Sequence, residues 1–405
     1  MSDLHNDPRI GQLVRAQLSR RTLLRGVGGV GAAAALAACG TGGDSDTANS
    51  AEPKATVSDQ SDTNKTVRWA NWPAYLDYDE DTKKYPTLEQ FQEETGIKAS
   101  YAEDIDGNDT YYGKVQGQLG NGQDIGKDVI VLTDWLAGRM IRQGYVQKLD
   151  KANIPNAKNL NPKLQNVDFD EGRNYTLTWQ SGYAGIGYRK DKVGRELKTI
   201  DDLWAPDLKG KVVVLDELRD TVGLIMLSQG KDISGDFTED DFMNALDVLQ
   251  KQVDDGQVRQ VKGNSYLEDL RSGNAIAVIG WSGDILLAQF EEEDDNYTFT
   301  LPETGGTLWS DNMMVPIASP YKKNAEKLMD FYYDPTVAAT VAAYVNYICP
   351  VEGAKAEMEK IDPELADSPL IFPTEADLAN VKVFRTLSAD EETKYSEEFQ
   401  KVIGN

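Results

Sequence analysis

The stretch KVVVLDELRD, Lys211 to Asp220, is a short apolar run that stops at a cluster of charges. Branched side chains in succession, with no polar residue between them, read as a strand buried on both faces, the usual state of strands in a parallel sheet. Working outward, Asp128-Val-Ile-Val-Leu132 and Ala275-Ile-Ala-Val-Ile279 have the same form. Thr66–Asn71 and Lys98–Tyr101 read as two further strands. Helical patterns alternate with them. Pro86 opens one helix, with Thr87 as expected N-cap, Gln90 three residues on and Gly96 as terminator. Thr238 opens another, with Phe242, Ala245, Leu246 and Leu249 on one face. Strands alternating with helices predict an α/β fold.

At 405 residues and 40% hydrophobic content the chain suits a globular protein of about two domains. Its formal net charge of −25 argues against nucleic acid or an anionic membrane surface as partner.

The first 38 residues read as an export signal rather than fold. Ser19-Arg20-Arg21-Thr22-Leu23-Leu24 carries a twin arginine, and a mild apolar stretch follows from Gly26 to Ala38. That stretch is too short to span a bilayer, which needs about 20 apolar residues. It ends in Leu36-Ala37-Ala38-Cys39-Gly40, which looks like a lipoprotein box with lipidation at Cys39. Residues 39–65 then read as a disordered tether, because they carry almost no apolar side chains. The folded part is expected to start at Thr66.

Two counts set limits. The chain has two cysteines, Cys39 and Cys349, so a lipidated Cys39 leaves Cys349 without a disulfide partner. Its one histidine, His5, lies in the expected signal. That excludes nucleophile–histidine catalysis and histidine metal sites in the mature chain. The string Asp104–Asp109 is rich in carboxylates, but it has no glycine at the sixth position and Val115 at the twelfth, so it does not read as a calcium loop. No metal and no cofactor is expected.

Five groups near strand ends join a ring, a carboxylate, or both. They are Asn71–Tyr75, Thr133-Asp134-Trp135, Asp216–Asp220, Trp281-Ser282-Gly283-Asp284 and Trp309-Ser310-Asp311. In open α/β sheets ligands bind beyond the carboxyl ends of strands, where four of these groups fall. Singly, such a Trp is most often core and such an Asp a helix cap. Together they describe an aromatic cleft with several carboxylates. Buried carboxylates need partners, and few cations stand nearby, Arg219 being the nearest in sequence. Aromatic faces attract ammonium groups and cover methylenes. A methylene chain ending in ammoniums, a polyamine, meets both requirements.

From Val67 onward the sequence resembles the spermidine/putrescine-binding proteins of ABC importers. The matching stretches include VRWANWPAY, LEQFQEETGIK, TIDDLWAPDLKGKVVVLDELRD, AIAVIGWSGD and TLWSDNMMVPIAS. The resemblance implies a type II periplasmic-binding-protein fold, two α/β lobes closing on ligand in the cleft between them. It implies lobe 1 over 66–180 plus 309–348 and lobe 2 over 181–308 plus 349–405. It implies that Trp72, Tyr75, Trp281 and Trp309 wall a methylene chain and that Asp311 pairs with an inner amine. Asp220 and Glu217 would pair with amines from the second lobe. Asp284 matches a carboxylate of the putrescine-type branch, Trp135 stands at a ligand tyrosine, and Ser265 and Tyr347 align with polar contacts. There are departures. Ala74 stands where a carboxylate is common, Asp134 could compensate for it, and Arg385 replaces a neutral amide and would repel an ammonium if it faced the cleft.

The expected protein is thus a lipid-anchored, monomeric binding protein on the outer face of the membrane or in the periplasm. It delivers polyamines to an ABC permease and performs no chemistry. Two alternatives stay open on the residues alone: the same fold binding another cationic or small solute, and a secreted hydrolase using a carboxylate pair.

Overall fold

The computed structural model describes residues 57–404. The twin-arginine segment, Cys39 and most of the expected tether lie outside them. Ten strands form one mixed sheet. They are β1 (Thr66–Asn71), β2 (Lys98–Glu103), β3 (Val129–Thr133), β4 (Leu177–Arg189), β5 (Val212–Leu215), β6 (Val258–Lys262), β7 (Ala277–Trp281), β8 (Tyr297–Thr300), β9 (Gly306–Met314) and β10 (Val381–Lys382). The order is β2-β1-β3-β9-β4-β7-β5-β6, with β8 beside β4 and β10 beside β9.

The sheet has two parallel ends and an antiparallel middle. β2, β1 and β3 run parallel, as do β7, β5 and β6. The long strands β4 and β9 join them, antiparallel to each other and to their outer neighbours β7 and β3. The apolar run at 211–215 is therefore parallel on both sides, as its pattern predicts. Those at 128–132 and 275–279 each have one antiparallel neighbour, because β9 and β4 fill the middle of the sheet.

Each end has its own core. Around β3, side chains alternate: Val129 and Val131 face a cluster with Trp69, Phe91, Leu328 and Ala342, and Ile130 and Leu132 face one with Leu119, Leu136 and Met140. At the other end Val212–Leu215 pack with Phe242, Leu246, Leu249, Tyr395 and Phe399. The molecule is thus two-lobed, with β4 and β9 common to both lobes.

Three expectations are corrected. Thr87 is not the N-cap of the helix Pro86–Thr95, where the cap is Tyr85 and bears no side-chain bond. The buried Asp77 does that work, accepting from the Thr87 amide at 2.9 Å and from its hydroxyl. The chain also does not leave the first lobe at 349. Met358, Leu365, Ala366 and Ile371 complete the first core, and Phe384 and Leu387 belong to the second. Finally, order begins before Thr66. Ser61 is 1% exposed and its hydroxyl accepts from the Asn324 amide at 3.1 Å. Gln60 N–H donates to Pro320 O at 2.7 Å. Polar groups at the start of the helix Lys322–Tyr332 hold this segment, which apolar content alone does not reveal. Among the described residues no helix is long and apolar enough to cross a membrane.

Candidate functional site

The carboxyl ends of β1, β3, β5 and β7 point to one place, and a cavity of about 430 Å³ lies there between the lobes. Of the residues singled out from sequence, Trp72, Tyr75, Asp134, Trp135, Glu217, Asp220, Trp281, Asp284, Trp309, Asp311 and Tyr347 line it. Ser265 does not. It is the exposed first-turn residue before the helix Tyr266–Ser272. The chain reaches the wall through Gly263 and Asn264 before that turn.

Trp309 and Asp311 are not ahead of a strand but within β9. Asp311 lies opposite Thr133 of β3, and Trp309 opposite Gly182 of β4. Asp311 is 6% exposed. Its oxygens accept from the Tyr75 phenol at 2.8 Å and the Thr133 hydroxyl at 2.7 Å. Burial pushes its pKa up to about 6, although both hydrogen bonds pull it down. Asp220, 4% exposed, accepts from the Trp281 indole N–H at 2.8 Å and the Thr307 hydroxyl at 2.6 Å, and burial raises its pKa too. Asp284 accepts from the Tyr347 and Tyr266 phenols, both at 2.9 Å. Each carboxylate is thus aimed by two uncharged donors. Among the described residues no lysine or arginine forms an ion pair with Asp311 or Asp220.

The rings are positioned as firmly. The Trp72 indole N–H donates to Val131 O at 3.0 Å. Tyr347 packs edge-on against Trp309, centroids 5.1 Å apart, and against Tyr75, 6.0 Å apart. The Tyr347 ring fits because two glycines lack a side chain. A Cβ at Gly182 would lie 2.4 Å from the Trp309 ring and 2.9 Å from Tyr347, and one at Gly283 would lie 2.5 Å from Tyr347.

Two predicted acids are already committed. Asp134 accepts from the Ser310 amide at 3.1 Å and from Asn312 Nδ2 at 2.8 Å, and Asn312 Oδ1 accepts from Arg173 Nη1 at 2.7 Å. The buried Arg173, at a positive φ of 53°, is thereby the counter-ion behind Asp134. Burial still raises Asp134 to about 7, with Arg173 opposing it. Glu217 caps the helix Leu218–Ser228, accepting from the Arg219 amide at 3.2 Å, and pairs with the Arg219 guanidinium at 3.6 Å. Burial lifts it to about 7. Arg385 does line the cavity, but its guanidinium is held by Glu391 at 2.6 and 3.1 Å and lies 4.1 Å from the Phe237 ring centroid.

Sequence reasoning gave no role to Thr133, Tyr266, Thr307 and Arg173, the donors and the counter-ion of these acids. Thr133 and Tyr266 adjoin residues that were singled out. Thr307 and Arg173 carry no local signal, because their partners are distant in the chain. Among the described residues no cluster of three metal-ligating side chains occurs.

The sequence pattern of a bacterial extracellular solute-binding protein family matches residues 87–373. The chain is 27% identical over 317 residues to the spermidine/putrescine-binding periplasmic protein of Escherichia coli, covering 78% of this chain and 87% of that one. It is 27% identical over 321 residues to a putrescine/agmatine-binding protein of Pseudomonas aeruginosa, covering 74% and 83%. Its fold matches a spermidine/putrescine ABC transporter substrate-binding protein of Streptococcus pneumoniae with a TM-score of 0.70 at 23% identity, over 84% of this chain and 98% of that one. The two-lobed architecture is the type II periplasmic-binding-protein fold, with the cleft between its lobes.

Proposed function

The chain belongs to the bacterial extracellular solute-binding protein family, and from that premise we propose that it captures a polyamine of the spermidine/putrescine kind and delivers it to an ABC importer. The observation that carries this reading is the state of Asp311 and Asp220. Both are buried and hydrogen-bonded only to neutral donors, beside the rings of Trp281, Trp309 and Tyr347. A buried carboxylate without an ion-pair partner is costly, and a ligand ammonium supplies one; besides its hydrogen bonds Asp220 is helped only by the nearby Arg219 charge, and Asp311 by hydrogen bonds alone. The rings cover the methylenes between ammoniums. Trp72 and Tyr75 complete the aromatic wall, and Asp284 offers a third carboxylate. No chemistry is performed on the ligand. The lobes, about 66–180 with 309–371 and 181–308 with the C-terminal helix, bend at β4 and β9 and close on it. Export by the twin-arginine route, lipidation at Cys39 and a monomer held at the outer face of the membrane complete the reading.

Thermal shift with putrescine, spermidine, agmatine and neutral sugars tests it, together with mass spectrometry of whatever the purified protein retains. The expected result is stabilisation by amines alone and a retained amine. A shift with sugars alone, or turnover of any of them, rejects the reading.

A further inference from the structure

A cluster of charges bridges the lobes at the edge of the cavity, with Asp109, Glu217 and Arg219 in the cavity wall. Glu392 sits in the first turns of the C-terminal helix Ala389–Ile403, whose Tyr395, Phe399 and Val402 belong to the second-lobe core. Its side chain is 8% exposed and three guanidiniums surround it. Arg219, from its own lobe, donates to Oε1 at 3.1 Å. Arg139 and Arg142 donate to Oε2 at 3.3 and 3.1 Å. These two belong to the helix Asp134–Arg142, whose Leu136, Met140 and Ile141 pack into the first-lobe core. The carboxylate therefore joins the lobes.

The surrounding groups reinforce the seam. The Trp135 ring of the first lobe meets both Arg139, 4.9 Å from its centroid, and Arg219 of the second lobe, 4.5 Å away. Asp109 approaches Arg139 at 3.7 Å and Glu217 approaches Arg219 at 3.6 Å, so three carboxylates balance three guanidiniums. Nearby, Asp168 accepts from the Thr386 amide and hydroxyl, both at 2.8 Å.

We propose that Glu392 is a positioning residue for ligand capture, a latch that favours the closed arrangement of the lobes and holds the Arg219 guanidinium at the cavity edge. It rests on the closing of the lobes proposed above but not on which solute binds. Opening the cleft pulls Arg139 and Arg142 away from Glu392 and leaves charges short of partners, which slows release rather than capture. Salt weakens an interaction of this kind, the more so for the more exposed Arg142.

The test uses Glu392→Gln and Arg142→Gln, with Glu397→Gln as an exposed control on the same helix. Amine dissociation is followed by tryptophan fluorescence, and the ligand-free proteins by small-angle scattering. For Glu392→Gln we expect dissociation faster by about tenfold or more with association changed little, and a larger radius of gyration without ligand. Arg142→Gln shifts both the same way by less and keeps the test alive should Glu392→Gln not fold. Glu397→Gln matches the unmodified protein. Unchanged dissociation and unchanged scattering in both latch variants overturn the proposal. Should no amine bind the unmodified protein, the polyamine reading fails on its own, and scattering alone decides the latch.

Discussion

Asp134 and Asp311 are near neighbours, one opening the helix that follows β3 and the other within β9, and their fates differ. Asp134 is backed through Asn312 by the buried guanidinium of Arg173. Asp311, paired with the Thr133 that precedes Asp134, has a phenol and a hydroxyl and no ion-pair partner. Both are carboxylates in the same cavity wall, and both are pushed up by burial. The first has its counter-ion built into the fold. The second has donors that fix its direction and leave its charge unanswered. On the reading proposed above, a site for a cation is marked by what a carboxylate lacks, not by its presence.

The largest effect expected from this contrast is on folding. Arg173→Met should cost about 3–5 kcal/mol of stability in urea unfolding, since it strands a buried charge. The folded fraction should still bind amine, because the donors that hold Asp311 and Asp220 do not depend on Arg173. Loss of binding with unchanged stability would mean Arg173 serves the ligand instead. Next comes Asp311→Asn, expected to weaken amine binding by about 2–4 kcal/mol in calorimetry. Its ligand-free stability should be equal or higher, because a buried amide costs less than a buried charge. The contrast breaks if Asp134→Asn costs more affinity than Asp311→Asn.

A pH series sharpens it further. The Asp311 pKa of about 6 lies above its ordinary value, so the folded, ligand-free protein holds that proton more tightly than the unfolded chain does. The stability from this group is therefore present at low pH and lost as pH rises through about 6. A cationic ligand needs the ionised form. Amine affinity should accordingly rise between about pH 5 and pH 7, by at most about tenfold per unit, with proton release on binding. Calorimetry in buffers of different ionisation enthalpy reads this directly, and a flat or falling affinity would remove Asp311 from the role. The smallest effect belongs to Ser265→Ala, within about 0.5 kcal/mol of the unmodified protein in both stability and binding.

Much of the fold is legible because its signals are local. Four branched or aliphatic residues between charges at 212–215 are enough to mark β5, and Thr238 with Asp241 forms the reciprocal cap expected of a helix start. The antiparallel middle of the sheet is not legible, because β4 and β9 are partners across more than a hundred residues and their pairing leaves no local trace. The site divides in the same way. The acids and rings announce themselves as unusual residues after strands. The groups that decide which acids are free, Arg173 behind Asp134 and Thr307 beside Asp220, are ordinary residues made relevant only by folding. Ser265 shows the converse error. Alignment with the resembling family set it among the polar contacts, and the turn into its helix leaves it outside the cavity wall. The segment 349–371 stays with the first lobe because Met358 and Leu365 find their core there, a choice that helix patterns alone do not make.

Gly182 and Gly283 give this site a tuning element made of missing atoms. A methyl at either position would meet the Trp309 or Tyr347 ring at 2.4–2.9 Å, so it must displace part of the cavity's aromatic wall. Width along the cavity is therefore adjustable without touching a single carboxylate. A lineage carrying alanine at 182 would retain every charged group and still refuse its cargo, much as a lock is disabled by a burr in the keyway while all its pins remain intact.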